Sequence, residues 1–153
     1  MVDKRKFKDI NVSLLGLGTM RLPCETEQKR ESNRNIDYDK AQSLVDLAYK
    51  NGVNYFDTAY MYHCGKSEAF IGYALNKYPR DTYFIADKLP IWLCDTKEDM
   101  KRVFEKQLER TGMDYFDFPN QDNSFEFEQN PIYEQILYFL NRQPFRETKS
   151  RYI

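Results

Sequence analysis

The chain has 153 residues, 41% hydrophobic and 16% aromatic, enough to bury one sizeable core and in keeping with a single domain over 1–153. Twenty-three basic residues face twenty-four acidic ones, a net charge of -1, so no overall field draws the chain to nucleic acid or to an anionic membrane. No stretch approaches the ~20 apolar residues of a membrane helix, and the basic opening "MVDKRKFK" has no signal-peptide core after it, so a soluble cytoplasmic protein is expected.

Taken in chain order, "RKFKDINVS" has the makings of a small hairpin, and "SLLGLG" (13–18) reads as a first strand. The next segment, "DYDKAQSLVDLAYKNG", is helical in pattern. Ala41, Leu44, Val45 and Ala48 fall on one face, with Asp37 as the cap and Gly52 as the stop. A second strand, "VNYFD" (53–57), precedes a second helix with Ser67 as its expected cap, Phe70, Ile71, Ala74 and Leu75 as its apolar stripe, and Pro79 beyond its end. A third strand, "TYFIADK" (82–88), is followed by a helix in which Thr96 and Asp99 form a capping box. Met100, Val103, Phe104 and Leu108 make its buried face, and Gly112 closes it. The fourth strand is "DYFDF" (114–118).

The last three of these strands recur about every thirty residues, the length of a βαβ unit, which calls for parallel strands covered by helices. After Phe118 the pattern changes. "PNQDNSFEFEQN" has no usable period, Pro119 cannot donate to a sheet ladder, and one more helix is expected from Asn130 and Pro131 through Leu140.

Three cysteines, Cys24, Cys64 and Cys94, form no CxxC pair and read as reduced thiols. His63, the only histidine, adjoins Cys64. Neighbouring side chains of an extended segment point apart, so no metal site is expected there.

In parallel α/β folds the residues following the carboxyl ends of strands gather on one face, where ligands bind. Asp57 ends the second strand and Lys88 the third, so an ion pair between them is geometrically reasonable, and Tyr62 is close enough in the chain to fold back toward Lys88. Two readings stand. The trio is either a structural ion pair beside a packed aromatic, or an acid–base unit in which an ammonium group makes a tyrosine a better proton donor near neutrality. Gly16-Leu17-Gly18 lacks the third glycine of a dinucleotide fingerprint and reads as a turn. Trp92 either plugs the core or walls a pocket, and His63 is either a packing residue or a base.

Together, "VSLLGLGTMRLP", "NGVNYFDTAYMYHCGKSE", "YPRDTYFIADKLP" and "ERTGMDYFDF" resemble the aldo/keto reductase family over residues 5–118. The resemblance is closest to the bacterial branch whose longer members carry an iron-sulfur domain, though no iron-sulfur cluster is expected in this chain. It implies an α/β fold, a partial (β/α)8 TIM barrel of about four βα units with an N-terminal hairpin. It also implies hydride transfer from NADP(H) or NAD(H) to an aldehyde or ketone. By the same resemblance Asp57, Tyr62 and Lys88 are the catalytic group, with Tyr62 as proton donor, Lys88 lowering its pKa, and Asp57 pairing with Lys88. Gly18, Thr19, Met20 and Asp57 lie beside the cofactor, and His63 and Trp92 line the substrate pocket.

Two departures qualify this. Where the family carries a histidine after the fourth strand, Asp122 stands, and an acidic group there would repel a developing oxyanion. A whole barrel needs roughly 250 residues, so an N-terminal half barrel with a divergent tail over 119–153 is expected. The alternative to an enzyme is a non-catalytic half barrel that self-associates, or binds a protein partner, through open sheet edges.

Overall fold

The computed structural model describes residues 1–25 and 35–121. Strands β1 (Lys4–Phe7) and β2 (Ile10–Ser13) form the expected antiparallel hairpin. A parallel sheet then runs in the unbroken order β3 (Leu17–Gly18), β4 (Tyr55–Asp57), β5 (Phe84–Leu89), β6 (Phe118–Gln121). Helix α1 (Tyr38–Lys50) follows β3, α2 (Lys66–Leu75) follows β4, and α3 (Lys97–Thr111) follows β5. Sequential strands that stay adjacent and parallel, each joined through a helix, wind in one direction, as in a barrel. A doubly wound sheet would reverse its order.

The helices begin and end for legible reasons. The Asp37 side chain accepts from Lys40 N at 3.1 Å to cap α1, and Thr96 and Asp99 form the reciprocal capping box of α3. Gly112 closes α3 at φ 64°, a left-handed conformation that glycine adopts without penalty. Neighbour packs on neighbour, α1 on α2 and α2 on α3. Phe70, Ile71, Ala74 and Leu75 of α2 and Met100, Val103 and Phe104 of α3 are buried with Phe56, Ile85 and Leu89, whose alternation in β4 and β5 turns them to this side. Apart from Ala74, which contributes less, each such side chain withdrawn from water contributes about 1.5–3 kcal/mol.

The other face of the sheet carries Tyr55 and Asp57 of β4 and Phe84, Ala86 and Lys88 of β5. At its amino-terminal end Tyr55, Phe84 and Phe118 cluster, and Phe7 of the hairpin lies 6.3 Å from the Phe118 ring. Asn54 fastens the hairpin to this end. Its Oδ1 accepts from Ser13 N at 2.7 Å, and its Nδ2 donates to Asn11 O at 2.9 Å. The amino-terminal end is thereby covered.

Several expectations are corrected. The first strand is only Leu17–Gly18, because Ser13 ends the hairpin and its hydroxyl folds onto Leu15 O at 2.7 Å, leaving Leu14 and Leu15 exposed. Leu44 is exposed rather than part of the α1 face. Gly65 at φ 81°, not Ser67, stands at the N-cap of α2. The fourth strand begins at Phe118 and runs through Pro119, which pairs in register with Asp87. Among the described residues β6 has a single strand neighbour, and such a strand tolerates a proline whose missing N–H falls on the unpaired side. The expected last helix and Asp122 lie outside the described residues. No helix among the described residues is long and apolar enough to cross a membrane.

Candidate active site

Asp57 is the last residue of β4 and pairs in register with Ala86, so Lys88 projects from the same sheet face one pleat further along β5. The connection from β4 to α2 returns over this end. Tyr62 N donates to Ala59 O at 3.1 Å, and a short 3-10 turn, Tyr62–Gly65, follows. His63 and Cys64 have φ of 51° and 55°, so they are not extended as the sequence suggested but turn in the left-handed region. Outside glycine this conformation costs roughly 1 kcal/mol per residue. The geometry that results brings together Asp57, Tyr62 and Lys88. Lys88 Nζ donates to Asp57 Oδ1 at 2.8 Å and to the Tyr62 hydroxyl oxygen at 2.6 Å.

Partial burial works against charge on Lys88, but the hydrogen bonds it donates to Asp57 and Tyr62 outweigh it and hold the ammonium group above its ordinary pKa. Lysine has donors only, so the Tyr62 oxygen is the acceptor in their contact and its hydroxyl hydrogen is left for a different acceptor. A carbonyl oxygen of a bound molecule has the required chemistry.

The residues expected beside a cofactor occupy the adjoining end of β3. Thr19 is fully buried. Its N–H donates to Asp57 O at 2.9 Å and its hydroxyl to the same oxygen at 3.0 Å, while Ser67 Oγ donates to Thr19 Oγ1 at 2.6 Å. Ser67 also contacts Thr58 Oγ1 at 3.0 Å. This hydroxyl chain ties the first loop to β4 and to the start of α2, which explains why Ser67 does not cap. Gly18 and Met20 are exposed, and a Cβ on Gly18 would approach only Asp57 Oδ1, at 4.0 Å.

His63 follows Tyr62 directly, but its ring turns toward the first loop. Its Nε2 accepts from Leu22 N at 3.2 Å, which leaves the ring proton on Nδ1, 3.8 Å from Cys24 Sγ. Burial, with Lys66 nearby, depresses its pKa. Trp92 lies on a short helical turn, Ile91–Leu93, past the end of β5, and is part exposed.

Sequence reasoning missed a second polar group behind Lys88. Asp87, one residue earlier, alternates to the helix-facing side and is 2% exposed, and Glu68 of α2 is fully buried beside it. Asp87 Oδ1 accepts from Lys88 N at 2.7 Å, and Gln107 Nε2 of α3 donates to Lys88 O at 3.0 Å. Arg110 donates to Glu68 Oε2 at 2.9 Å. Burial, and then the neighbouring Glu68, push the Asp87 carboxyl well above the ordinary range. The one available signal was the pair of acidic residues, Glu68 and Asp87, in segments otherwise built for burial.

Residues 14–137 match the model of the aldo/keto reductase family. The chain is similar to the NADH-specific methylglyoxal reductase of Escherichia coli, 29% identical over 126 residues, which covers 71% of this chain and 37% of that protein. Among solved structures it resembles the apo form of an aldo-keto reductase from Bacillus halodurans, with a TM-score of 0.64 and 30% identity over 90% of this chain and 42% of that one. It also resembles an aldo/keto reductase from Klebsiella pneumoniae in complex with NADP and acetate, with a TM-score of 0.52 and 28% identity over 71% of this chain and 35% of that one. The chain spans little more than a third, 35% to 37%, of the length of the curated relatives it matches.

Proposed function

Because this chain belongs to the aldo/keto reductase family, with the α/β architecture of a partial (β/α)8 barrel, we propose that its sheet mouth is a carbonyl-reducing site in which Tyr62 donates the proton. The observation that carries this reading is the single ammonium group of Lys88 bound to both Asp57 and Tyr62, at 2.8 and 2.6 Å. That arrangement keeps the tyrosine oxygen polarised and its hydrogen available to a carbonyl oxygen.

The end of β3 fits a nicotinamide. Gly18 presents no side chain toward Asp57, and the first loop is held rigid from behind by Thr19, so a flat ring can approach the strand ends beside Lys88. Gly18, Met20 and Asp57 would hold the cofactor's reactive end, with Thr19 shaping the loop. When bound, the nicotinamide supplies hydride to the carbonyl carbon. This chain's residues do the rest: Tyr62 passes its proton to the carbonyl oxygen, Lys88 stabilises the negative charge left on Tyr62, and Asp57 keeps Lys88 charged and aimed. Trp92, on the turn past the end of β5, and the Tyr62–His63 turn after β4 would border a small aldehyde or ketone bound there.

The similarity to a methylglyoxal reductase makes a small 2-oxoaldehyde the first substrate to try, and the NADP-bound neighbour makes NADPH as well as NADH the cofactors. The test is direct: titrate the folded chain with NADPH and NADH, then follow cofactor consumption with the oxoaldehyde. Saturable binding, with consumption lost in Lys88→Met, supports the reading. A folded chain that binds neither cofactor at millimolar concentration overturns it.

A further inference from the structure

We propose that Glu68 and Asp87 hold one proton between them on the helix-facing side of β5, and that this contact positions Lys88; the catalytic use of that positioning rests on the carbonyl-reducing reading above. Both carboxyl groups are buried, and each has one oxygen with no donor, Glu68 Oε1 and Asp87 Oδ2. Both sit in the layer between α2 and β5, close enough that the charge of Glu68 acts on Asp87. Two buried carboxyl groups side by side repel each other unless one is protonated, and a shared proton satisfies both orphaned oxygens at once: Asp87 carries it and donates it to Glu68.

The surrounding charges leave room for one proton. Arg110 from α3 neutralises Glu68 at 2.9 Å and is itself held by the Tyr60 hydroxyl, 3.3 Å away in the loop after β4. From β4, Asp57 adds negative charge and repels a second carboxylate, while the positive charge of Lys88 is already spent on Asp57. An ionised Asp87 would face two acids with no cation of its own.

The consequence for Lys88 follows from its backbone. Its N–H is bound by Asp87 Oδ1 and its carbonyl by Gln107, so the residue is gripped at both polar groups from the helix layer. When Asp87 loses its proton, repulsion from Glu68 pushes the carboxylate away from α2 against the weaker pull of the Lys88 amide, which favours the charged form, and the Lys88 backbone shifts with it. The sign of the linkage is set. Asp87 binds a proton in the folded chain that the unfolded chain gives up near its ordinary pKa, so stability falls as pH rises from that value toward the folded one.

Two isosteric variants and one truncation test this. In Asp87→Asn the amide is a permanent donor to Glu68 and Oδ1 still serves the Lys88 amide; Glu68→Gln supplies a permanent donor from the other side. Infrared spectroscopy of the folded chain in heavy water at neutral pH should show the carbonyl band of a buried protonated acid, lost in both variants. A wild-type chain without that band overturns the shared proton. For positioning, NMR titration of carbon-labelled Lys88 should move downward in Asp87→Ala and stay in place in Asp87→Asn, and turnover, where present, should fall roughly tenfold in the alanine variant alone. A Lys88 titration in Asp87→Ala equal to wild type overturns the positioning role. Infrared and NMR need no cofactor, so failure to consume NADPH would count against the functional reading and leave these two results to be judged separately.

Discussion

Replacing Gly72 with alanine sets packing against helix propensity. Gly72 lies inside α2, where alanine should gain about 1 kcal/mol in an otherwise open helix. Here a Cβ would overlap the carbonyl oxygen of Thr111 and stand 2.7 Å from its carbonyl carbon and 3.0 Å from its Cα. These are backbone atoms of α3 and cannot swing aside. Relief requires the two helices to part by at least about 1 Å, a gap that forfeits a quarter to a half of the dispersion energy of the facing atoms. Overpacking of this kind costs about 1–3 kcal/mol and more when backbone must move. Set against the propensity gain, the net loss is about 2 kcal/mol, a melting temperature lower by about 4–8 °C in a chain of this size. The Glu68–Arg110 pair crosses the same seam and should loosen with it. Thermal melts and urea denaturation at matched concentration would read the effect, with an unchanged urea slope showing that the unfolded state is the same. A Gly72→Ala chain that melts with or above wild type refutes the packing argument.

Thr96→Ala removes the α3 capping box at an exposed position and should cost about 1 kcal/mol, read as a small fall in melting temperature with the fold intact. Asp46 accepts from Lys77, Tyr78 and Gln42, at 2.6, 2.7 and 2.7 Å. Burial opposes its charge, but these partners outweigh it and hold the carboxyl down to about 2. A depressed acid contributes stability that is present above its ordinary value and lost as pH falls toward about 2. Asp46→Asn should therefore flatten the acid side of the stability curve, and melts at a series of pH values that show the same acid limb in both chains would sink the assignment.

Helix ends were legible because each is a local contract between a side chain and a backbone group. Asp37, the Thr96–Asp99 box and Gly112 needed nothing beyond three or four residues of context. Asp57 and Lys88 could be placed by counting, since adjacent parallel strands put their last residues side by side. What escaped depended on contacts remote in sequence. Ser67 looks like a cap in isolation, but its hydroxyl is committed to Thr19, 48 residues away. The run at 13–18 looks like a strand until the Asn54 contacts show that Ser13 belongs to the hairpin's anchorage. Pro119 argued for a strand end, and only the pairing with β5 shows that the ladder continues past it. Asp87 was hidden by its neighbour. In a strand buried on both faces, alternation sends consecutive polar residues to opposite layers, and an acidic residue in each of two segments built for burial was the only mark the sequence carried.

The central claim is that Tyr62 gives up its proton to a carbonyl while held by Lys88 and Asp57. The measurement that bears on it most directly is a single-turnover comparison of wild type and Tyr62→Phe, with cofactor affinity determined on the same samples. The account predicts that cofactor binding survives within about twofold, since the phenylalanine keeps the ring, while the rate of carbonyl reduction falls at least about 100-fold, the range of a lost general acid. Equal rates in the two chains, with both saturated by cofactor, would contradict it.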